Sequence, residues 1–250
     1  MSYILHLGHQ PTDIAGISGL LNTTAGGFDP TLDVNAIRHV GFNSYSAPFS
    51  FSVPEPVGDL WLGFRYVPPN GDANSINRSE ASFLEFYSAT NVLLAQIKPI
   101  TTTNRYHAIA AGDASVQGSS SYTAPNGQPQ WIDVRVAVGA EITIEFYVEG
   151  VLQSTATAAN TNGKGKPRHV VFANTALHGI SANRTWYYAH ISALDGVSTI
   201  GRRFVRRSPN AIASFNQMVG SIDALRDGDI ATRVASTAAG QRTPPSLRRS

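Results

Sequence analysis

The residues best suited to chemistry in this chain are two glutamates four apart, in Glu141-Ile-Thr-Ile-Glu145. Two carboxylates flanking a glycosidic bond can share its hydrolysis, one as nucleophile and the other as acid and base, when about 5 to 5.5 Å separates them. A second set is aromatic. Trp61, Trp186, Tyr187 and Tyr188 offer flat faces on which sugar rings stack if the side chains are exposed, although tryptophans in β-sandwiches commonly fill the core. A third is cationic: Arg202, Arg203, Arg206 and Arg207 present planar donor forks that match phosphate or carboxylate. His6 and His9 have neither a helix nor a nearby carboxylate pair, so they read as hydrogen-bonding groups rather than metal ligands.

Which of these groups converge depends on the strands that carry them. Ile132, Val134, Val136 and Val138 alternate with polar residues, and so do Ile142, Ile144, Phe146 and Val148, which is the period of half-buried antiparallel strands. A turn of Gly139 and Ala140 alone would set Val138 opposite Glu141 and Val136 opposite Thr143, apolar row against polar row. Adding Glu141 to the turn restores the match, with Ile132 opposite Val148, Val134 opposite Phe146 and Val136 opposite Ile144. This register takes Glu141 off the strand and sets Arg135 across from Glu145, an exposed pair worth about 0.2 to 1 kcal/mol. The two carboxylates then fail to meet at one sugar, and the segment reads as the solvated face of a half-buried strand. Glu149-Gly150 makes the next tight turn, because Gly accepts the positive φ of primed hairpin turns, and Val151 begins another strand.

The same punctuation runs through most of the chain. Asp59 to Val67 predicts a strand with Leu60, Leu62, Phe64 and Tyr66 on one face and Trp61, Gly63 and Arg65 on the other, ended by Pro68-Pro-Asn-Gly71. Phe83 to Tyr87 and Val92 to Ile97 predict a hairpin. Tyr106 to Ala110, Val116 to Tyr122, His169 to Ala173 and Trp186 to Leu194 predict further strands, and residues 1 to 50 an edge strand followed by loops. About ten to twelve strands over residues 1–205 suffice for two packed sheets in one domain. From Ser208 the spacing changes: Ile212, Phe215, Val219, Ile222 and Leu225 recur at three- and four-residue steps behind a Ser-Pro start, which predicts an amphipathic helix, with Gly220 costing it about 1 kcal/mol. Residues 229–250 lack an apolar face and predict an extended arm. The expected domains are therefore 1–205 and 206–250.

Composition narrows the function. The chain has no cysteine, which excludes disulfide staples and thiolate metal sites. Its net charge of +2 is uneven: residues 1–200 hold 10 basic and 14 acidic groups, whereas residues 201–250 hold 9 Arg and 3 Asp. Nucleic-acid readers spread such charge over a folded face with interleaved aromatics, and only Phe204 stands near the arginine clusters, so a protein partner is the better match than nucleic acid. No stretch approaches the roughly 18 apolar residues of a membrane span, and the N-terminus lacks the pattern of an export signal. Gly-x-Ser-x-Gly, phosphate-loop and His-Glu-x-x-His motifs are all missing from the sequence.

Two resemblances follow. Glu141-Ile-Thr-Ile-Glu145 resembles the Glu-x-Asp-x-Glu strand of laminarinase-like glycoside hydrolases, with Thr143 in place of the central Asp. Three other segments, Trp131 to Leu152, Trp186 to Gly196 and Gly201-Arg-Arg-Phe-Val-Arg-Arg-Ser-Pro-Asn210, together resemble virion proteins of tailed bacteriophages built on a concanavalin A-like, laminin G-like jelly roll. The second resemblance implies an all-β fold, a two-sheet antiparallel jelly-roll sandwich with a C-terminal helix and arm. It also implies a non-enzymatic structural role as a tail, fibre, spike or decoration component, assembled in the host cytoplasm and carried in the virion. Members of that family often carry acidic residues on the late strand; here Tyr187, Tyr188, Ala189 and His190 stand there, and neither a metal nor a cofactor is expected. Arg202, Arg203, Arg206, Arg207, Ile212, Phe215, Val219 and Ile222 are expected to dock the domain on other virion subunits, within a homo-oligomer. The outward face is expected to meet host-surface polysaccharide through Trp61, Trp186, Tyr187 and Tyr188. A laminarinase-like hydrolase using Glu145 and Glu141 is the alternative.

Overall fold

A computed structural model describes residues 2–7, 37–41, 45–46, 49–67, 82–100, 105–123, 127–176, 184–202, 209–212, 218–219, 235–236 and 245–247. The chain divides into two compact units, Met1–Arg202 and Arg203–Ser250. Strands of the first unit are β1 (Ser2–Leu7), β2 (Ile37–Gly41), β3 (Tyr45–Ser46), β4 (Phe49–Ser52), β5 (Asp59–Val67), β6 (Ser82–Ser88) and β7 (Leu93–Ile100), then β8 (Arg105–Ala111), β9 (Ser115–Gln117), β10 (Gln130–Val138), β11 (Glu141–Val148), β12 (Val151–Ala159), β13 (Pro167–Ala176) and β14 (Arg184–Asp195). They form two seven-stranded sheets. The first runs β1-β14-β5-β10-β11-β12 with β2 also on β14, and the second runs β3-β13-β6-β7-β8-β9 with β4 also on β13. Hairpins join β10, β11 and β12, and likewise β6 to β9, while β14 returns across the sequence to lie between β1 and β5. The result is an all-β, two-sheet antiparallel jelly-roll sandwich.

Alternation along the strands explains why the sheets face each other. Leu60, Leu62, Phe64 and Tyr66 of β5, Ile132, Val134 and Val136 of β10 and Ile142, Ile144 and Phe146 of β11 turn inward. They meet Leu84 and Phe86 of β6, Leu94 and Ile97 of β7 and Phe172 of β13, all essentially without solvent exposure. Each such side chain contributes about 1.5 to 3 kcal/mol of burial. Aromatic rings continue the core: Phe172 stacks on Phe49 with centroids 4.7 Å apart, and Phe83 meets Tyr66 at 4.8 Å and Tyr106 at 5.4 Å. Burial raises the phenols of Tyr66 and Tyr188 well above their ordinary range, and that of Tyr106 to about 12.

The central hairpin adopts the register that matching of apolar rows predicts. Ile132 pairs with Val148, Val134 with Phe146, Arg135 with Glu145 and Val136 with Ile144. Glu149 and Gly150 both have positive φ, 49° and 80°, as a primed turn requires. Glu141 needs a correction. It stands in the connection when seen from β10, and Gly139 N–H donates to its carbonyl at 2.9 Å, yet it is the first residue of β11 and pairs with Ala159. The neighbour β12 extends beyond the turn and keeps its backbone in the sheet.

Two other expectations are corrected. Of the expected strand Val116 to Tyr122 only Val116 and Gln117 lie in a strand, β9, because beyond it the chain passes hard against β12: a Cβ on Gly118 would lie 2.0 Å from the Thr155 carbonyl oxygen. In the second unit, where a helix was expected from Ser208, the described residues are strands. β15 (Pro209–Ile212) pairs with β18 (Pro245–Leu247), and β16 (Met218–Val219) pairs with β17 (Ala235–Ser236). Ile212 and Val219 thus belong to strands. β-Branched residues favour this over a helix already weakened by Gly220, and pairing at Pro245–Leu247 ties down part of the expected arm. Arg203, Arg206, Arg207, Phe215 and Ile222 lie outside the described residues. Among the described residues no helix is long and apolar enough to cross a membrane.

Candidate functional site

The outer face of the first sheet holds the carboxylate that the sequence singles out. Register sets Arg135 between Trp61 of β5 and Glu145 of β11. Its guanidinium donates from Nε to Asp59 Oδ1 at 2.8 Å, from Nη2 to Asp59 Oδ2 at 3.2 Å and from Nη1 to Glu145 Oε1 at 3.5 Å. Tyr147 donates to the other Glu145 oxygen at 2.9 Å. Aromatic contacts close the group: the guanidinium lies 5.8 Å from the Trp61 ring centre, and Tyr147 stacks on Trp61 at 5.8 Å. The hydrogen bond that Arg135 donates to Asp59 holds its guanidinium above its ordinary pKa, while desolvation, then the bond to Glu145, pushes Tyr147 up to about 12. Both oxygens of Glu145 therefore already have donors. Glu141 is exposed on the same face about 13 Å further along the strand at ordinary strand rise. Nothing in this arrangement brings the two carboxylates to one point.

The aromatic candidates divide. Trp61 is only 8% exposed, covered by Arg135 and Tyr147, and Tyr188 is fully buried in the core, so neither offers a free ring face. Tyr188 points inward because it sits opposite Tyr66 on the core side of β5. Trp186 and Tyr187 are placed by backbone register opposite His39 and Arg38 of β2, with side chains outside the described residues. Arg202 is exposed.

Beside this group, the segment that follows β14 lies over the sheet. Thr199 Oγ1 donates to Asp133 Oδ1 at 2.7 Å, and both residues are buried, at 1% and 0% exposure. Gly63 makes room for the contact, since a Cβ there would approach Thr199 Cβ to 2.8 Å.

The outer face of the second sheet is more open. Phe49, Phe51, Val170, Phe172, Leu84 and Phe86 point into the core, so their neighbours point out. Ser52, His169 and Tyr87 form one cross-strand row, and Ser50, Val171 and Glu85 the next. A cleft of about 310 Å³ opens there, lined by Ser50, Phe51, Ser52, Tyr87, Asn91, His169 and Val171. Ser52 Oγ and His169 Nδ1 share a hydrogen bond of 2.7 Å, and Tyr87 donates to Glu85 Oε2 at 2.7 Å. Asn91 sits at the β6–β7 turn with φ of 59°, a conformation that Asn tolerates. Hydroxyls, a carboxamide, an imidazole and a phenol edge thus face one concavity, a donor and acceptor set suited to a polyhydroxylated ligand. No sequence pattern joins Ser52 to His169, which stand 117 residues apart. The alternation Phe49-Ser-Phe-Ser52 was the available signal for its first strand.

No protein-family model and no curated relative matches the chain. Many solved structures share its fold. One is the botulinum neurotoxin serotype C1 binding domain, with 14% identity and a TM-score of 0.57 over 90% of this chain and 59% of that one. A type C neurotoxin structure, whose cell entry is described as dependent upon interaction with two ganglioside molecules, has 12% identity and a TM-score of 0.57 over 90% and 58%. A mutant alginate lyase in complex with alginate trisaccharide has 7% identity and a TM-score of 0.50 over 77% and 98%. The chain thus spans less than two thirds of the neurotoxin chains that it matches. At these identities the likeness is one of fold, the jelly roll.

Proposed function

We propose that this jelly roll is a non-enzymatic, lectin-like module that binds host-surface glycan, carried as a structural component of a tailed-phage particle. The cleft bearing Ser50, Ser52, Tyr87, Asn91 and His169 is the observation that carries the binding part of this reading. Two of the structures with this fold are described with ganglioside or alginate trisaccharide, which supports the same ligand class. The engagement of Glu145 by Arg135 and Tyr147 supports the non-catalytic part. The sequence resemblance to phage virion proteins supports the role in a particle, where the second unit, Arg203–Ser250, would dock the domain on neighbouring subunits in a homo-oligomer.

Retention of the purified protein on immobilised host polysaccharide, reduced in Ser52→Ala and His169→Ala, tests the binding reading; equal retention of wild type and variants would refute the assigned cleft. Release of reducing sugar that disappears in Glu145→Gln would overturn the non-catalytic reading. For the particle, the chain should be found in purified virions, and a chain truncated after residue 202 should no longer co-assemble.

A further inference from the structure

Resting on the reading of the cleft as a glycan site, we infer that it selects a neutral hexose unit and rejects acidic sugars. Size comes first. At about 310 Å³ the cleft is at the small end of ligand sites and admits roughly one sugar ring with its nearest substituents. Charge comes second. A sialate or uronate carboxylate is recognised by Arg or Lys, and none of the described lining residues is Arg or Lys. Glu85, a carboxylate with 6% exposure, stands opposite the lining residue Val171 on the neighbouring strand, and its Oε2 accepts from the Tyr87 hydroxyl. Its negative charge behind Tyr87 disfavours a second carboxylate in the cleft, because like charges in a partly desolvated site repel strongly. The polar groups that remain are uncharged and two-sided: Ser50 and Ser52 hydroxyls both donate and accept, and the Asn91 carboxamide does the same. The bond between Ser52 Oγ and His169 Nδ1 fixes that hydroxyl in place, so it is pre-oriented toward a sugar hydroxyl rather than free to rotate. Preference for neutral sugars separates this cleft from the ligands described with two structures of the same fold, a ganglioside and alginate trisaccharide.

The test is an array of neutral trisaccharides of glucose, galactose and mannose beside alginate trisaccharide and sialyllactose, probed with the full-length chain at pH 8. Binding to at least one neutral trisaccharide is expected, weakened about tenfold, the equivalent of roughly one lost hydrogen bond, in Ser52→Ala and in His169→Ala. Acidic sugars should give no signal, and Glu85→Gln should raise their binding while leaving that of the neutral sugar within about twofold. Acidic sugars bound more tightly than neutral ones, with loss in the same two variants, would overturn the selectivity and leave the glycan site standing. Absence of binding to either class, or binding untouched by both variants, would overturn the site itself. Thermal melting of each variant checks that it remains folded, and His169→Gln, which keeps a hydrogen-bonding group, should lie between His169→Ala and wild type.

Discussion

Replacing Thr199 by Val probes the segment that follows β14 with little change of volume. The hydroxyl lost is the one donated to Asp133 Oδ1 at 2.7 Å, and both residues are buried, so water cannot take its place without opening the contact. A buried hydrogen bond to a charged acceptor contributes about 1.5 to 3 kcal/mol, and the incoming methyl leaves no void, so about 2 kcal/mol of destabilisation is expected. For a domain of this size that lowers Tm by roughly 4 to 8 °C. Urea unfolding followed by tryptophan fluorescence should show the midpoint fall with the slope unchanged. Gly63→Ala supplies the partner perturbation: its Cβ would stand 2.8 Å from Thr199 Cβ and 3.0 Å from Asp133 Oδ1, an overpacking cost of about 1 to 3 kcal/mol. Because both changes lift the same segment, the double variant should lose less than the sum of the two single losses. A loss below about 0.5 kcal/mol for Thr199→Val, or strict additivity in the double variant, would refute the idea that this bond holds the segment on the sheet.

Gly118→Ala places a Cβ 2.0 Å from the Thr155 carbonyl oxygen, which backbone cannot yield cheaply, so a loss of about 3 kcal/mol or more is expected in chemical denaturation; a loss near zero would contradict the close approach of the β9 exit to β12. Burial raises the phenols of Tyr66, Tyr106, Tyr122 and Tyr188, so the neutral forms stabilise the fold below the ordinary tyrosine pKa of about 10, and that contribution is lost as pH rises through the folded values, about 12 for Tyr106. Their phenolate absorbance should appear only with alkaline unfolding, and smooth titration of all nine tyrosines near their ordinary pKa with the fold intact would count against the buried aromatic cluster. Bonds from the Thr161 hydroxyl and amide, joined by those from Asn162, hold the Asp113 carboxyl below its ordinary range; they are present above the unfolded pKa and lost as pH falls through the folded one. The Thr161 amide resonance should therefore titrate with a midpoint below about 3.9, and a midpoint at or above that value would contradict the staple.

Local patterns were legible where one physical constraint outweighed the rest. In the β10–β11 hairpin only one loop length puts apolar row on apolar row, so the pairing of Val134 with Phe146 and of Arg135 with Glu145 could be read without a structure. The strand limits Asp59–Val67 followed for the same reason, with prolines closing the end. What depends on long-range pairing could not be read. Asp59 is the stronger partner of Arg135, but it stands 76 residues away on β5, and a single sequence does not reveal that β5 is the neighbour of β10. Ser52 and His169 meet for the same hidden reason, and so do Thr199 and Asp133. The segment after Ser208 misled in the opposite way: Ile212 and Val219 fit a helical stripe, yet short strands can present the same residues, and propensity alone did not separate the two.

The most direct test of the central claim is an NMR titration of the isotopically labelled chain with a neutral trisaccharide that it retains. Chemical-shift changes should gather at Ser50, Ser52, Tyr87, Asn91, His169 and Val171 on the outer face of the second sheet. Saturable binding with changes confined to Trp61, Arg135, Glu145 and Tyr147 on the opposite sheet would contradict the account.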